Sequence, residues 1–183
     1  MTEVVFARTS GVAAQLLRDD LEPVIAAAFA QPPYNEVRDA DSPALSRFDA
    51  QARKPGFALA TAHVSEETVG VAFGYTLPTT TGWWRDVLEP VDADMSREDG
   101  ARSFGLFELA VRPDWQRCGI ATELHRKLLE GRTEQRVVLN CRPDAKAAQA
   151  AYKRWGYRRV SSTIPWKGGP VYDILLLDLE RDR

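Results

Sequence analysis

The pattern of apolar and polar residues at the start of the chain predicts a short strand followed by helix. Residues 3–8 fit the strand pattern. From residue 11 to residue 30, apolar side chains recur at helical spacing. Pro23 lies within this helical pattern, and it either divides the helix or marks the start of a second one.

The next part of the chain predicts another helix and then a hairpin. Residues 42–54 form the helical pattern, because Ser42 is a good N-cap and Pro43 occupies the first helical position. Residues 57–64 and 68–77 follow the pattern of strands. The short turn between these strands indicates an antiparallel hairpin.

A long polar segment, residues 78–103, follows the hairpin. A connection of this length inside a compact domain is usually functional or disordered, and the adjacent Trp83 and Trp84 argue against full disorder. The two tryptophans leave three alternatives open: a substrate pocket, a homodimer contact or simple packing. The acidic run at residues 86–99 is interpreted as a solvated loop, and recognition of a cationic amine is the alternative.

The following stretch predicts a strand, a short loop and a helix. Residues 104–111 are apolar or glycine except for Glu108, and Arg-Pro-Asp at residues 112–114 ends the run. Every fourth residue from Ile120 to Leu128 is then apolar, as on one buried helix face. Gly131 is a suitable C-terminal stop.

The start of this helix, close to Gly119, has no Ser, Thr, Asp or Asn cap, and its first acidic residue is Glu123. A helix N-terminus carries free N–H groups and a partial positive charge. An uncapped start therefore suits a bound anion, such as a pyrophosphate.

A second strand-helix unit and a closing hairpin complete the chain. Residues 136–140 predict a buried strand, a second Arg-Pro-Asp follows at 142–144, and the next helix stops at Gly156. Residues 157–166 and 170–179 predict two final strands. Two consecutive strand-helix units favour neighbouring parallel strands, so the predicted architecture is α/β with a mixed sheet.

Composition and charge add few constraints. The 183 residues suit one domain, and 44% hydrophobic and 27% charged residues are ordinary for a soluble globular protein. A net charge of −2 gives no reason to expect nucleic acid or anionic membrane as a partner. No apolar run approaches the roughly 20 residues of a membrane span, and the N-terminus lacks the pattern of a secretory signal. The only cysteines, Cys118 and Cys141, suggest reduced thiols in a cytoplasmic protein.

Two motifs resemble those of the GNAT superfamily of acetyl-CoA-dependent N-acetyltransferases. Residues 109–113 read Leu-Ala-Val-Arg-Pro, and residues 116–121 read Gln-Arg-Cys-Gly-Ile-Ala at the predicted helix start. The family's second motif is similar to Ala-x-x-x-Tyr-x-x-x-Gly-Tyr at residues 148–157. The motifs have the usual order and separation, so the resemblance covers nearly the whole chain.

This resemblance implies one N-acetyltransferase domain over residues 1–183, with a GNAT-like α/β fold. Its mixed central sheet would have six to seven strands, flanked by about four α-helices. It also implies acetyl-CoA as cosubstrate, bound at the strand end, at the helix start and on the second motif. The cofactor-binding residues implied in this way are Leu109, Ala110, Val111, Gln116, Arg117, Cys118, Gly119, Ile120, Ala121, Thr122 and Tyr152.

The sequence departs from the family pattern at two positions. Ala145 stands where the family often has Asn, which puts one cofactor contact in doubt. Arg117 stands where it often has Gly, and it adds a cation beside the expected pyrophosphate. An ordinary tight turn into a helix is the alternative for this loop, whereas a Walker-type loop is excluded because no Gly-Lys-Ser/Thr follows.

Glu108 is the candidate general base, as a Glu at this strand position is in many members of the family. A carboxylate among apolar groups tends to have a raised pKa, which suits proton abstraction near neutral pH. On a regular strand it would share a face with Leu106 and Ala110. The alternative is a structural carboxylate, paired with an arginine or a backbone amide.

Tyr152 lies one helical turn after Ala148. The corresponding family tyrosine lies near the thioester sulfur and can protonate the departing thiolate, so the resemblance makes Tyr152 the candidate acid. A packed tyrosine with its hydroxyl at the surface is the alternative. Cys118 is taken as a spectator, and the single His63 and His125 predict no metal site.

The sequence thus predicts an N-acetyltransferase that moves an acetyl group, or another short acyl group, to a primary amine of a small molecule. Direct attack in a ternary complex is the expected mechanism. Two alternatives stay open at this point: a protein N-terminal or lysine acetyltransferase, and a non-catalytic acyl-CoA-binding regulatory module.

Overall fold

The computed structural model describes residues 3–36 and 47–179, and these residues form seven β-strands and five α-helices. Two 3₁₀ segments, Gly11–Leu17 and Pro113–Trp115, precede α1 and α4. The elements are β1 (Val4–Ser10), α1 (Arg18–Phe29), α2 (Phe48–Ala52), β2 (Ala58–Val64), β3 (Glu67–Thr76), α3 (Ala93–Ser96), β4 (Ser103–Val111), α4 (Ile120–Leu129), β5 (Arg136–Cys141), α5 (Lys146–Arg154), β6 (Arg158–Thr163) and β7 (Tyr172–Asp178).

The strands form one mixed sheet in the order β1-β2-β3-β4-β5-β7-β6. The β1–β2, β2–β3, β5–β7 and β6–β7 pairs are antiparallel, and β4–β5 is parallel. The predicted α/β class, the hairpin of β2 and β3, and the parallel neighbours of the two strand-helix units are confirmed. No helix among the described residues is long and apolar enough to cross a membrane.

The chain groups into two compact units. The first unit comprises Met1–Tyr75 and Leu106–Arg132, and the second comprises Thr76–Gly105 and Thr133–Arg183. Strand β4 contributes its first three residues to the second unit and the rest to the first.

In the first unit, α1 and α2 cover one face of β2 and β3. Leu21 on α1 and Phe48 on α2 are fully buried there. The Phe48 ring packs edge-on against Phe57 and Phe73, with centroids 5.8 and 5.2 Å apart. Because aromatic pairs in this arrangement add to the gain from burial, this cluster is the centre of the unit's core.

Helix α4 packs closely on the same unit at Gly70 of β3. A Cβ atom on Gly70 would lie 2.9 Å from Leu124 Cδ1 and 3.0 Å from Ile120 Cγ2. Glycine at this position therefore lets the first turns of α4 approach the sheet. The predicted buried face of α4 is confirmed, since Ile120, Leu124 and Leu128 are all buried.

The predicted helix at residues 11–30 needs a correction. Residues 11–17 form a 3₁₀ helix, and the α-helical part begins only at Arg18. Pro23 lies inside α1 and neither divides it nor starts a second helix, so α1 continues past the one backbone hydrogen bond that proline cannot donate. The predicted cap, Ser42 and Pro43, lies outside the described residues.

In the second unit, a buried ion pair anchors the long segment after β3. One Oε of Glu98 accepts hydrogen bonds from Trp84 Nε1 (2.9 Å), Ser103 Oγ (2.8 Å) and an Arg136 terminal nitrogen (2.9 Å). The Arg136 guanidinium also lies over the Trp84 ring, 5.3 Å from its centroid. The side chains of Arg136 and Glu98 are only 4% and 2% exposed. Of the three alternatives given for the tryptophans, simple packing therefore describes Trp84.

Other acidic residues of this segment also bind protein groups. Asp92 caps α3 by accepting from the Met95 amide at 2.7 Å. Glu89 accepts from Ser162 Oγ at 2.8 Å and forms an ion pair with Arg159. Several of the acids expected to be solvated thus hold the segment in place, and Glu98 is an interior residue.

Candidate active site

Hydrogen bonds tie the loop after β4 to β3 and to the end of β4. The Arg112 amide donates to the Val69 carbonyl at 2.9 Å, and a 3₁₀ turn at Pro113–Trp115 follows. Gln116 Nε2 then donates to the Val111 carbonyl at 3.1 Å. These bonds fix the path of the chain between the end of β4 and the start of α4.

The turn into α4 passes through two residues with positive φ. Arg117 has φ 61° and Gly119 has φ 82°. Gly119 is the N-cap of α4, and no side chain caps the helix. The Glu123 carboxylate binds Arg126 Nε at 2.9 Å instead. Left-handed residues of this kind can turn neighbouring N–H groups toward a common anion, so the backbone here has the form of an anion-binding turn.

The space in front of the helix start fits such an anion. A Cβ atom on Gly119 would meet no protein atom within 4 Å. The loop residues Gln116–Gly119 are exposed, and the first bond within the helix runs from the Glu123 amide to the Gly119 carbonyl at 3.2 Å. The amides of residues 120–122 precede that bond, and they are the groups that a pyrophosphate would contact.

The backbone at the end of β4 lies outside the ladder with β5. That ladder covers three pairs, from Ser103–Arg136 to Gly105–Val138. β4 continues for six residues beyond it, to Val111. The peptide groups of Leu109, Ala110 and Val111 are therefore not used in pairing with β5, and amide groups of a ligand could bind there.

Strand β4 also contains one residue more than its partner. The Leu77 amide donates to the Ser103 carbonyl at 2.8 Å, and the Arg112 amide donates to the Val69 carbonyl at 2.9 Å. Between these bonds β4 advances nine residues while the opposite chain covers eight. An extra residue of this kind is a β-bulge. Bulges are common next to active sites, where they change the direction of a side chain.

The bulge interrupts the alternation that the sequence suggested for β4. Phe107 and Ala110, which regular alternation would place on opposite faces, both pack against the core of the first unit. Regular alternation therefore does not establish that Leu106, Glu108 and Ala110 share one face of β4. Glu108 itself is 8% exposed.

Tyr152 lies on α5 of the second unit and is 8% exposed. Its ring packs edge-on against Trp155 and Tyr157, with centroids 5.5 and 5.3 Å apart. Gly156 has φ 93°, and a Cβ there would lie 3.3 Å from Leu177 Cδ1. The second motif thus has a structural basis, because its glycine ends α5 and allows close packing on β7.

The two thiols and the two histidines lie in four different environments. Cys118 is exposed, and burial raises the pKa of the Cys141 thiol to about 12. His63 hydrogen bonds to Thr61 Oγ1 at 2.8 Å. Burial lowers the pKa of His125 to about 4. The described residues contain no group of three or more side chains that could hold a metal ion.

The predicted site residues divide between the units. Glu108, the 109–111 peptides and the 116–122 turn follow one another along the first unit, whereas Tyr152 belongs to the second. Sequence reasoning missed Asn140, whose Oδ1 is enclosed and accepts no hydrogen bond from the described residues. The available signal was an amide placed between Leu139 and Cys141 in a buried strand.

Comparisons with known proteins concern the family and the fold of the chain. The profile of the Acetyltransferase (GNAT) family matches residues 24–157. No curated protein matches the chain. Among solved structures, the Escherichia coli ribosomal-protein-S18-alanine N-acetyltransferase is 17% identical, with a TM-score of 0.66 over 99% of this chain and 97% of that one.

Two further solved structures are similar in fold. Aminoglycoside 6'-acetyltransferase type Ii is 15% identical, with a TM-score of 0.65 over 97% of this chain and 99% of the other. The Thermoplasma acidophilum PaiA N-acetyltransferase, solved in complex with coenzyme A, is 9% identical, with a TM-score of 0.59 over 97% and 99%. At these identities the likeness concerns the fold alone.

Proposed function

The chain belongs to the GNAT acetyltransferase family, and we propose that it transfers an acetyl group from acetyl-CoA to a primary amine of a small molecule. The family uses acetyl-CoA as cosubstrate and acts on amine acceptors. The observation that carries the proposal for this chain is the positive-φ turn at Arg117 and Gly119, which leads into the uncapped start of α4.

The first unit supplies the groups that would hold acetyl-CoA. The amides of residues 117–122 would bind the pyrophosphate, and the Arg117 guanidinium would add a positive charge beside it. The peptide groups of residues 109–111 would bind the amides of the pantetheine arm. Acetyl-CoA supplies the reaction with an acetyl group activated as a thioester.

Two side chains would move protons during transfer. Glu108 would accept a proton from the amine, because an alkyl ammonium with a pKa of about 10 must be neutral before it attacks. An amide of residues 109–111 would polarise the thioester carbonyl. As the C–N bond forms and the C–S bond breaks, the Tyr152 hydroxyl would give its proton to the sulfur.

A thiol-release assay tests this function. Calorimetry first measures acetyl-CoA binding, and then 2-phenylethylamine, spermidine, kanamycin and an alanine-initiated hexapeptide are offered as acceptors. Both acceptor classes belong in the panel, because the structural neighbours include a protein acetyltransferase and an aminoglycoside acetyltransferase. Direct attack requires intersecting initial-rate lines when both substrates are varied.

Each result selects one function. Thiol release with a small amine supports the proposal, whereas release with the hexapeptide alone favours a protein N-terminal acetyltransferase. Tight acetyl-CoA binding without release on any acceptor points to a non-catalytic binding module. Absence of acetyl-CoA binding contradicts the proposal at its first step.

A further inference from the structure

Asn140 carries a buried hydrogen-bond acceptor that the described residues leave without a donor. It is the fifth residue of β5, and its Oδ1 is enclosed by protein. Buried side-chain oxygens nearly always have a partner, because a buried polar atom without one costs free energy. An exception of this kind needs a physical explanation.

The neighbours of Asn140 on the sheet cannot supply the donor. In the register of β5 and β7, Asn140 lies opposite Ile174. Val138 precedes it by two residues and shares its face of the strand. Ile174 and Val138 are both 0% exposed and purely aliphatic. These two neighbours therefore offer the amide oxygen no donor.

At the other end of the same face of β5, the Arg136 guanidinium has partners within the protein. Arg136 donates to Ser103 Oγ at 2.7 Å, to the Met95 carbonyl at 2.8 Å and to Glu98 at 2.9 Å. Asn140 lies four residues further along, or about 13 Å at the rise of a strand. The segment that binds Arg136 donates no hydrogen bond to Asn140 Oδ1.

Asn140 also lies at the end of β5 where ligands bind in α/β proteins. The parallel ladder with β4 ends at Val138, two residues before it. Ligands of open α/β sheets bind beyond the carboxyl ends of parallel strands. An orphan acceptor at this end is therefore placed to meet a ligand, whereas Arg136 at the amino end is not.

We propose that Asn140 Oδ1 accepts a hydrogen bond from an N–H group of a bound substrate and so determines how that substrate is held. This inference rests on the proposed acetyl transfer. Two substrates of that reaction carry N–H groups: the acceptor amine, and acetyl-CoA through the amides of its pantetheine arm. The chemistry is the same for both, and the experiment distinguishes them.

The decisive variant is Asn140→Leu, which has the same branching and the same number of side-chain heavy atoms and removes the acceptor. Without substrate, its melting temperature is expected to equal or exceed that of the wild type, because Oδ1 accepts no hydrogen bond from the described residues. With substrate, loss of the bond is expected to weaken binding about tenfold or more. A raised KM for the best amine of the panel, at unchanged acetyl-CoA Kd, identifies the amine as donor. A raised acetyl-CoA Kd identifies the pantetheine arm.

Two companion variants separate binding from structure. Gln149→Leu removes an amide that does have partners, since its Nε2 donates to the Arg142 carbonyl at 3.2 Å and to Asp173 Oδ2 at 3.0 Å. That variant is expected to melt at a lower temperature than the wild type, in contrast to Asn140→Leu. Asn140→Asp keeps an acceptor oxygen, and it is expected to restore the weakened binding to within about threefold of the wild type.

The inference is overturned if Asn140→Leu lowers the melting temperature as Gln149→Leu does, or if it changes neither the amine KM nor the acetyl-CoA Kd. Failure of the proposed function looks different, because the wild type itself then releases no thiol with any amine. In that case the acetyl-CoA Kd of Asn140→Leu still tests whether Asn140 binds a substrate. An unchanged Kd overturns the role of Asn140 as well.

Discussion

At the scale of single residues, His125 links the packing of α4 to the pH dependence of stability. Burial lowers its pKa from 6.5 to about 4, so the folded protein holds the neutral imidazole while the unfolded chain takes up a proton below pH 6.5. Stability is therefore expected to fall as pH drops from about 6.5 to 4, by up to about 3 kcal/mol from this residue. Urea unfolding at pH 7.0 and 5.0 measures the change.

His125→Gln removes this titration and should flatten the loss between pH 6.5 and 4. Between pH 7 and 8, which is above both pKa values, the variant and the wild type should show parallel stability curves. A variant that still loses as much stability in acid as the wild type would show that other groups cause the loss.

The proposed role of Tyr152 in catalysis can be separated from its packing. Tyr152→Phe keeps the ring against Trp155 and Tyr157 but removes the hydroxyl. We expect kcat to fall about 100-fold, while acetyl-CoA Kd stays within about twofold. Tyr157→Phe is the matched control from the same aromatic cluster and should retain kcat. Equal turnover in Tyr152→Phe and the wild type would remove the acid role.

Glu108 should matter most where the amine is protonated. In Glu108→Gln no carboxylate takes the proton, so attack depends on amine that is already neutral in solution. The rate loss should therefore be largest near pH 7 and should shrink as pH approaches the amine pKa of about 10. A pH–rate profile of kcat/KM from pH 6.5 to 9.5 measures this, and a profile parallel to that of the wild type contradicts the base assignment.

At the scale of elements, Gly70 controls how closely α4 approaches the sheet. In Gly70→Ala the new methyl group would press on Leu124 and Ile120, which are 2.9 and 3.0 Å from its position. We expect unfolding free energy to fall by about 1–3 kcal/mol. Acetyl-CoA should also bind about threefold or more weakly, because Ile120 begins the helix that offers its amides. Urea unfolding and calorimetry measure the two effects.

Gly82→Ala is the control for this change, because its nearest neighbours are Arg85 guanidinium atoms at 3.8 Å or more. That variant should match the wild type in both stability and acetyl-CoA binding. If Gly70→Ala does so too, the close contact between α4 and β3 is not needed for the cofactor turn.

The elements that local pattern predicted well are those whose signals lie within a few residues. The hairpin of β2 and β3 and the helix α4 belong to this group, because alternation, a short turn and a terminal glycine are all local. Other features depend on distant partners. Glu98 is an interior residue because Trp84, Ser103 and Arg136, the last of them 38 positions away, bind it. Charge patterning along a segment does not contain that information.

The candidate site shows the same division. The turn at residues 116–119 could be predicted, because its motif needs glycine and an uncapped helix. The bulge of β4 could not, since it is defined by the pairing of Leu77 with Ser103 and of Arg112 with Val69. The Oδ1 of Asn140, unpaired among the described residues, likewise could not be predicted, because its surroundings depend on Ile174 lying opposite Asn140 in the register of β5 and β7.

At the scale of the whole molecule, acetyl-CoA should stabilise the protein through the turn before α4. A ligand that binds only the folded state at 100 times its Kd raises the unfolding free energy by about 2.7 kcal/mol. Gly119 and Gly131 flank the same helix, with φ of 82° and 68°, and a Cβ on either would meet no protein atom within 4 Å. Alanine at either position is therefore expected to cost a similar 1–2 kcal/mol of backbone strain.

The two substitutions should differ only when acetyl-CoA is present. In Gly119→Ala the methyl group enters the space where the pyrophosphate is expected, so a tenfold weaker Kd would reduce the stabilisation at the same ligand concentration to about 1.4 kcal/mol. In Gly131→Ala the full 2.7 kcal/mol or so should remain, because that end of α4 binds no ligand in the proposal. Urea unfolding of both variants with and without acetyl-CoA measures the difference. Equal stabilisation of the two would place the cofactor away from the 116–122 turn.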